Sequence, residues 1–209
     1  MKRGNSARLL PMIMTVVVIV LVIVAIVSIG RAIFGGSATD TRTEPEVDRG
    51  RAALLEVKPN HSVRLTVRGP IVADENFKSY QVTVSPSKRV MNVYKGYLEK
   101  VEKSKELDNN MDAYEQFAYA LDKANMMKGD ELDDEKLDDL RGICATGYVY
   151  EYDVLVENKS VKHLWSSTCG GSKGSLDASV EQLNNLFHEQ IPGSEDLIPF
   201  NTSGLRLKF

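Results

Sequence analysis

Histidine occurs three times, cysteine twice and tryptophan once in 209 residues, and 26 basic side chains face 29 acidic ones. Each shortage excludes something. Lys2, Arg3 and Arg8 are the only charges before residue 31, so residues 31–209 carry a formal charge of −6, a poor match for nucleic acid. His61, His163 and His188 lie far apart, and no two have the close spacing of a metal motif, so structural histidines are expected and no metal. The acidic run Asp130 to Asp139 lacks the alternating oxygen ligands and central glycine of a calcium loop; it reads as a solvated helix with Leu132, Leu137 and Leu140 turned inward, or as a surface for a basic partner. Gly170-Gly171-Ser172-Lys173-Gly174-Ser175 lacks the Gly-Lys-Ser/Thr ending of a phosphate loop and reads as a connector. No catalytic residue and no cofactor is assigned on this pattern.

What the chain does have is one long apolar run. Leu9 to Gly30 contains no charge, and about 22 residues at about 1.5 Å each span roughly 33 Å, enough for a hydrocarbon layer of about 30 Å. Its Val and Ile residues would suit a strand in water, but lipid leaves an open strand's amides unpaired, so a transmembrane helix is expected. A cleaved signal ending at Gly36-Ser37-Ala38 is the competitor; its apolar region normally spans only about 7 to 15 residues. Lys2, Arg3 and Arg8 favour an N-terminus inside and the rest outside, against a diluted opposing vote from Arg31, Arg42, Arg49 and Arg51. The expected organisation is a cytoplasmic basic tail (1–8), a single-pass transmembrane helix (9–30), a flexible polar tether (31–55) and one extracytoplasmic domain (56–209).

That domain reads as α+β with a mainly antiparallel sheet and two or three helices. Val63, Leu65 and Val67 alternate with polar residues, as do Tyr80, Val82 and Val84, and a third strand is expected through Val90, Asn92 and Tyr94. Asn109-Asn110 offers a cap for a helix presenting Ala113, Phe117, Ala120, Leu121 and Ala124, and Asp177 for one presenting Val180, Leu183, Phe187 and Ile191 before Pro192. Residues 148–165 read as a hairpin turning at Asn158-Lys159, with Val156 opposite Val161, Tyr152 opposite Trp165 and Tyr148 opposite Cys169. Leu205, Leu207 and Phe209 are expected to close the chain as a strand.

Cys144 and Cys169 flank that hairpin. In an outward-facing domain a structural disulfide between them is expected, closing a loop of about 25 residues and contributing roughly 3 kcal/mol in the chain-entropy model; a cytoplasmic orientation would reverse that reading to free thiols. The sharper alternative is a cysteine nucleophile, because an anchor followed by Ser167-Thr168-Cys169 superficially resembles a sortase. A sortase needs a distant histidine and an arginine soon after the cysteine. Here His163 is six residues before Cys169 on the same hairpin leg, and the next arginine is Arg206.

The pattern Gly96-Tyr97, Asn109-Asn110, Ala113-Tyr114, Phe117, Ala120-Leu121, Gly142-Ile143-Cys144, Leu164-Trp165-Ser166-Ser167-Thr168-Cys169 and Leu186-Phe187-His188-Glu189-Gln190-Ile191-Pro192 is similar to uncharacterised single-pass surface proteins of small-genome, Saccharibacteria-type candidate-phylum bacteria. The resemblance covers residues 80–195. It implies an extracytoplasmic domain with two paired cysteines and brings no activity. Type IV pilin-like subunits resemble the chain only in outline, since no acid interrupts Leu9 to Gly30 and Gly35-Gly36 breaks the helix at its exit. The expected function is a membrane-anchored, non-enzymatic binding or envelope-interaction module, with the membrane and an envelope protein as partners. Its rivals are an envelope enzyme using Cys169 and His163, and a pilin-like assembly subunit.

Overall fold

A computed structural model describes residues 49–129, 140–171 and 174–200. The expected transmembrane helix, the tether up to residue 48, the acidic run 130–139 and the strand through Leu205, Leu207 and Phe209 lie outside the described residues. Among the described residues no helix is long and apolar enough to cross a membrane.

The sequence alternation becomes a six-stranded antiparallel sheet. Strands β1 (His61–Arg68), β2 (Lys78–Val84), β3 (Lys88–Lys95) and β4 (Lys100–Asp108) form a meander. Helix α2 (Met111–Lys123) then leads to β5 (Val149–Val156), which pairs with the free side of β1, and β6 (Lys159–Ser167) completes the order β4-β3-β2-β1-β5-β6. One face collects Val63, Leu65, Val67, Val82, Val84, Met91, Tyr152 and Val154, all buried. Against it pack Leu54 of α1 (Arg49–Leu55), Tyr114, Phe117 and Leu121 of α2, and Leu183 and Phe187 of α3 (Val180–Glu189). The result is two layers around one main core, as expected when a sheet and amphipathic helices each have one apolar side.

The helix ends are closed by specific groups. Asn110 Oδ1 accepts from Ala113 N at 2.9 Å and caps α2. At the other end Asn125 takes a left-handed φ of 59°, Asn125 N donates to Asp122 O at 2.9 Å and Met126 N to Leu121 O at 3.0 Å. This is the paired helix-ending motif in which the two flanking apolar residues, here Leu121 and Met126, are buried together. Helix α3 is capped by Ser179 Oγ, two residues after the expected Asp177. Cations from the meander meet its C-terminal end: Arg89 donates to Gln190 O, the C-cap carbonyl, at 3.2 Å, and Lys105 to Pro192 O just beyond it.

Three features depart from the sequence reading. First, Arg49–Leu55 is helical and its Leu54 is fully buried, so the fold starts inside the stretch expected to be tether. A hydrogen bond between His61 Nδ1 and Ala53 O, and the Arg51–Asp122 ion pair, fasten that helix to β1 and α2. Second, β4 is an edge strand with no apolar stripe to announce it. Its alternation is of charges, and those charges discourage pairing with another chain.

Third, the hairpin turns one residue earlier than expected. Glu157 and Asn158, not Asn158 and Lys159, occupy the turn, with φ of 53° and 62°. Both central positions of this tight turn need left-handed backbone, which asparagine tolerates better than lysine. Val156 therefore pairs with Lys159, and a bulge near Val154/Leu155 moves the register again. Trp165 pairs with Glu151 and Leu164 with Tyr152, which sends the tryptophan to the sheet face away from the helices. The expected Tyr152–Trp165, Val156–Val161 and Tyr148–Cys169 pairings are replaced.

Candidate functional site

On the helix-free face, β1 and β5 set opposite charges side by side. Arg64 is registered against Asp153, and Glu151 sits between Thr66 and Trp165. Arg64 donates through Nε and a terminal nitrogen to Asp153 Oδ2 at 3.2 and 3.0 Å, while Ser160 Oγ donates to Asp153 Oδ1 at 2.8 Å and His163 Nδ1 lies 3.1 Å from the same oxygen. Burial pushes the Asp153 carboxyl up, but the His163 hydrogen bond, the Arg64 charge and Ser160 together outweigh it and hold the group below its ordinary value. Arg68 makes the neighbouring pair, Nε to Glu151 Oε1 at 2.5 Å. A polar relay extends across the sheet, from Tyr94 hydroxyl to Gln81 Oε1 at 3.0 Å and from Gln81 Nε2 to Thr66 Oγ1 at 3.1 Å.

Above one end of this face lies the 140–148 loop, clasped by a disulfide between Cys144 and Cys169. Cys144, Val149 and Trp165 form a second small core there, with Leu140, Ile143 and Cys169 packed around it. Ile71 N donates to Ala145 O at 2.9 Å, and Tyr148 N to Thr168 Oγ1 at 2.9 Å. Gly147 passes so close that a Cβ there would lie 2.2 Å from Thr168 Oγ1 and 2.8 Å from Cys144 Sγ. A side chain at this position would push the clasp apart.

Between the loop, the sheet end and the β1–β2 and β3–β4 connections is a cavity of about 440 Å³, within the size range of small-ligand sites. Its apolar wall is Ile71, Phe77, Tyr97, Leu140 and Val149; its charged wall is Arg68, Arg141, Glu151 and His163. Phe77 and Tyr97 stack with ring centres 3.9 Å apart, and the Tyr97 hydroxyl donates to Val72 O at 2.9 Å. Ile71, Val72 and Tyr97 are each more than two-fifths exposed at the rim, an apolar edge to a pocket that holds fixed charges.

The residues singled out from sequence are thus partly assembled. Cys144 and His163 line the same cavity, and Cys169 closes the clasp behind it. A half-cystine has no thiolate with which to attack, so the sortase-like reading of Cys169 loses its nucleophile. His61 lies at the other end of β1, 3.7 Å from Glu56. His188 is on the opposite layer, where its Nε2 lies 3.0 Å from the Tyr80 hydroxyl; burial holds its imidazole below the ordinary value and pushes the Tyr80 phenol up. Among the described residues no group of three or more His, Cys, Asp or Glu is placed to hold a metal ion.

Sequence reasoning missed Arg68, Ile71, Phe77, Tyr97 and Glu151. The alternation of β1 did put Arg64 and Arg68 on one face; the pairing of β1 with β5 that brings them to carboxylates carried no local signal. No family model, curated protein or solved structure matches the chain.

Proposed function

We propose that this chain is a single-pass membrane protein whose folded domain is displayed on the outer side and binds, without catalysing a reaction, a partner of the cell envelope at the cavity beneath the 140–148 loop. The observation that carries the reading is the disulfide-clasped wall of that cavity. Disulfides persist in oxidising compartments, which agrees with the apolar run Leu9 to Gly30 and the basic residues before it. An exposed apolar rim beside the Arg68–Glu151 ion pair suits recognition, because the pair holds that wall in place and the rim supplies area to bury. The resemblance of residues 80–195 to single-pass surface proteins of candidate-phylum bacteria supports the same placement.

Site-specific photo-crosslinking in living cells tests the binding claim. A benzophenone side chain replacing Tyr97 at the rim is expected to give an adduct of defined mass from the full chain. The same group at Tyr119, exposed on α2, is expected to give none. Absence of an adduct at position 97, or equal adducts at both positions, would sink the cavity as the binding site.

A further inference from the structure

We infer that the cavity is conditional on redox state: it is formed when Cys144 and Cys169 are joined and is dismantled when a dithiol reduces them, so binding is switched on by oxidation. The functional meaning rests on the binding reading above, while the structural claim stands without it.

The sheet-and-helix core and the loop cluster are separate in the structure. Among the described residues the main cluster contains 22 buried residues and draws on all three helices and four strands; the loop cluster contains three, Cys144, Val149 and Trp165, and Cys144 is itself half of the disulfide. Without the covalent closure, ordering the 140–148 backbone has to be offset by the burial of a few side chains, which is too little. The main core does not contain either cysteine and has no reason to open with the clasp. Loss of the loop removes Leu140, Arg141 and Cys144 from the cavity together, leaving Arg68 and Glu151 on an open sheet face.

The two sulfurs differ in access. Cys144 is 3% exposed, while Cys169 is partly exposed. An incoming thiolate of the dithiol attacks Cys169 Sγ; the sulfur–sulfur bond breaks and its electron pair goes to Cys144 Sγ. Thr168 Oγ1 already accepts from Tyr148 N, which leaves its own proton to donate to Cys144 Sγ, 3.8 Å away. The reagent's second thiolate then displaces Cys169 from the mixed disulfide. The dithiol leaves as its own disulfide, and two electrons and two protons have passed to the protein. In a cell the reduced form corresponds to the chain before export, or to one attacked by a dithiol oxidoreductase.

Trp165, the only tryptophan, is buried in this cluster and reports on it. The full-length protein is treated with excess dithiothreitol until two thiols titrate. The expected result is a shift of tryptophan emission to longer wavelength and a several-fold gain in acrylamide quenching, with the far-ultraviolet circular dichroism unchanged. Wavelength is the criterion, since loss of a neighbouring disulfide changes intensity by itself. A Cys144→Ser/Cys169→Ser double variant should give the reduced spectrum without reductant, and the Tyr97 crosslink should disappear in both. Two titrated thiols with unmoved emission would overturn the inference, and so would loss of the circular dichroism along with the shift, which would mean that the clasp holds the whole fold. A local shift with no crosslink even in the oxidised protein would support the redox-dependent loop and sink the binding reading instead.

Discussion

Replacing Phe187 with alanine is expected to lower the stability of the domain by about 3–5 kcal/mol, a large share of the roughly 5–15 kcal/mol that holds a domain folded. Phe187 is fully buried on α3. Its ring meets Phe117 of α2 edge-on, with centres 5.3 Å apart, and leans on Tyr152 of β5 at 6.2 Å. One side chain therefore joins both long helices to the sheet, and the backbone on three sides cannot close around the gap without separating those elements. Urea unfolding should show the midpoint fall with the slope unchanged. A loss under about 1 kcal/mol would mean that the helices are not packed on the sheet as described.

Replacing Arg64 with leucine is expected to cost about 3 kcal/mol at neutral pH, because it strands a buried carboxylate rather than because an ion pair is worth that much. Asp153 has only 4% of its side chain exposed, against 30% for Arg64. The remaining partners, His163 and Ser160, satisfy one oxygen. The pH dependence has a definite sign. The folded Asp153 carboxyl lies below its ordinary 3.8, so its contribution is complete above that value and is lost as pH falls through the folded-state value. In the leucine variant the carboxyl rises and accepts a proton more readily, so the difference between the two proteins should shrink as pH drops below about 4. A second variant separates causes: Arg64→Met with Asp153→Leu removes both charges and should recover most of the loss. Thermal unfolding of the three proteins between pH 3 and pH 7 checks this; a difference independent of pH would contradict the assignment.

The elements legible in the sequence were those with one apolar face. The runs around Val63 and Val82 alternate cleanly, and the spacing of Phe117, Leu121, Leu183 and Phe187 is helical, because each must bury one side against the same core. The third strand was expected through Val90, Asn92 and Tyr94, but it is Met91 and Val93 that face the core. Strand β4 was illegible because an edge strand need bury little: its backbone makes the ladder to β3, while its exposed Lys and Glu side chains show no period of hydrophobicity. The short α1 was lost in a polar stretch, where Leu54 is the one large apolar side chain fully buried. In the hairpin the earlier turn alone would have kept Trp165 on its expected face, opposite Tyr150; the bulge at Val154/Leu155 is what turned it to the other side, where the loop cluster forms.

The cysteines were the best sequence signal for the site, and their pairing is realised. The rest of the cavity was not readable, for a physical reason: its walls are contributed by turns and by cross-strand partners far apart in the chain. Arg68 and Glu151 are 83 residues apart, and Phe77 and Tyr97 sit on either side of β2 and β3, in connections with no periodic pattern. Local rules constrain each piece; only the order of strands brings them together.

The central proposal is that residues 9–30 cross a membrane and that the domain with this disulfide-clasped cavity stands on its outer side. Its most direct test is proteolysis of cells with the inner membrane intact, expressing the full chain with an epitope after residue 209. Protease added outside is expected to cut between residues 31 and 48 and release a fragment in which Cys144 and Cys169 resist alkylation until reduced. A fragment that stays protected until the membrane is broken, with both thiols free, would contradict the account.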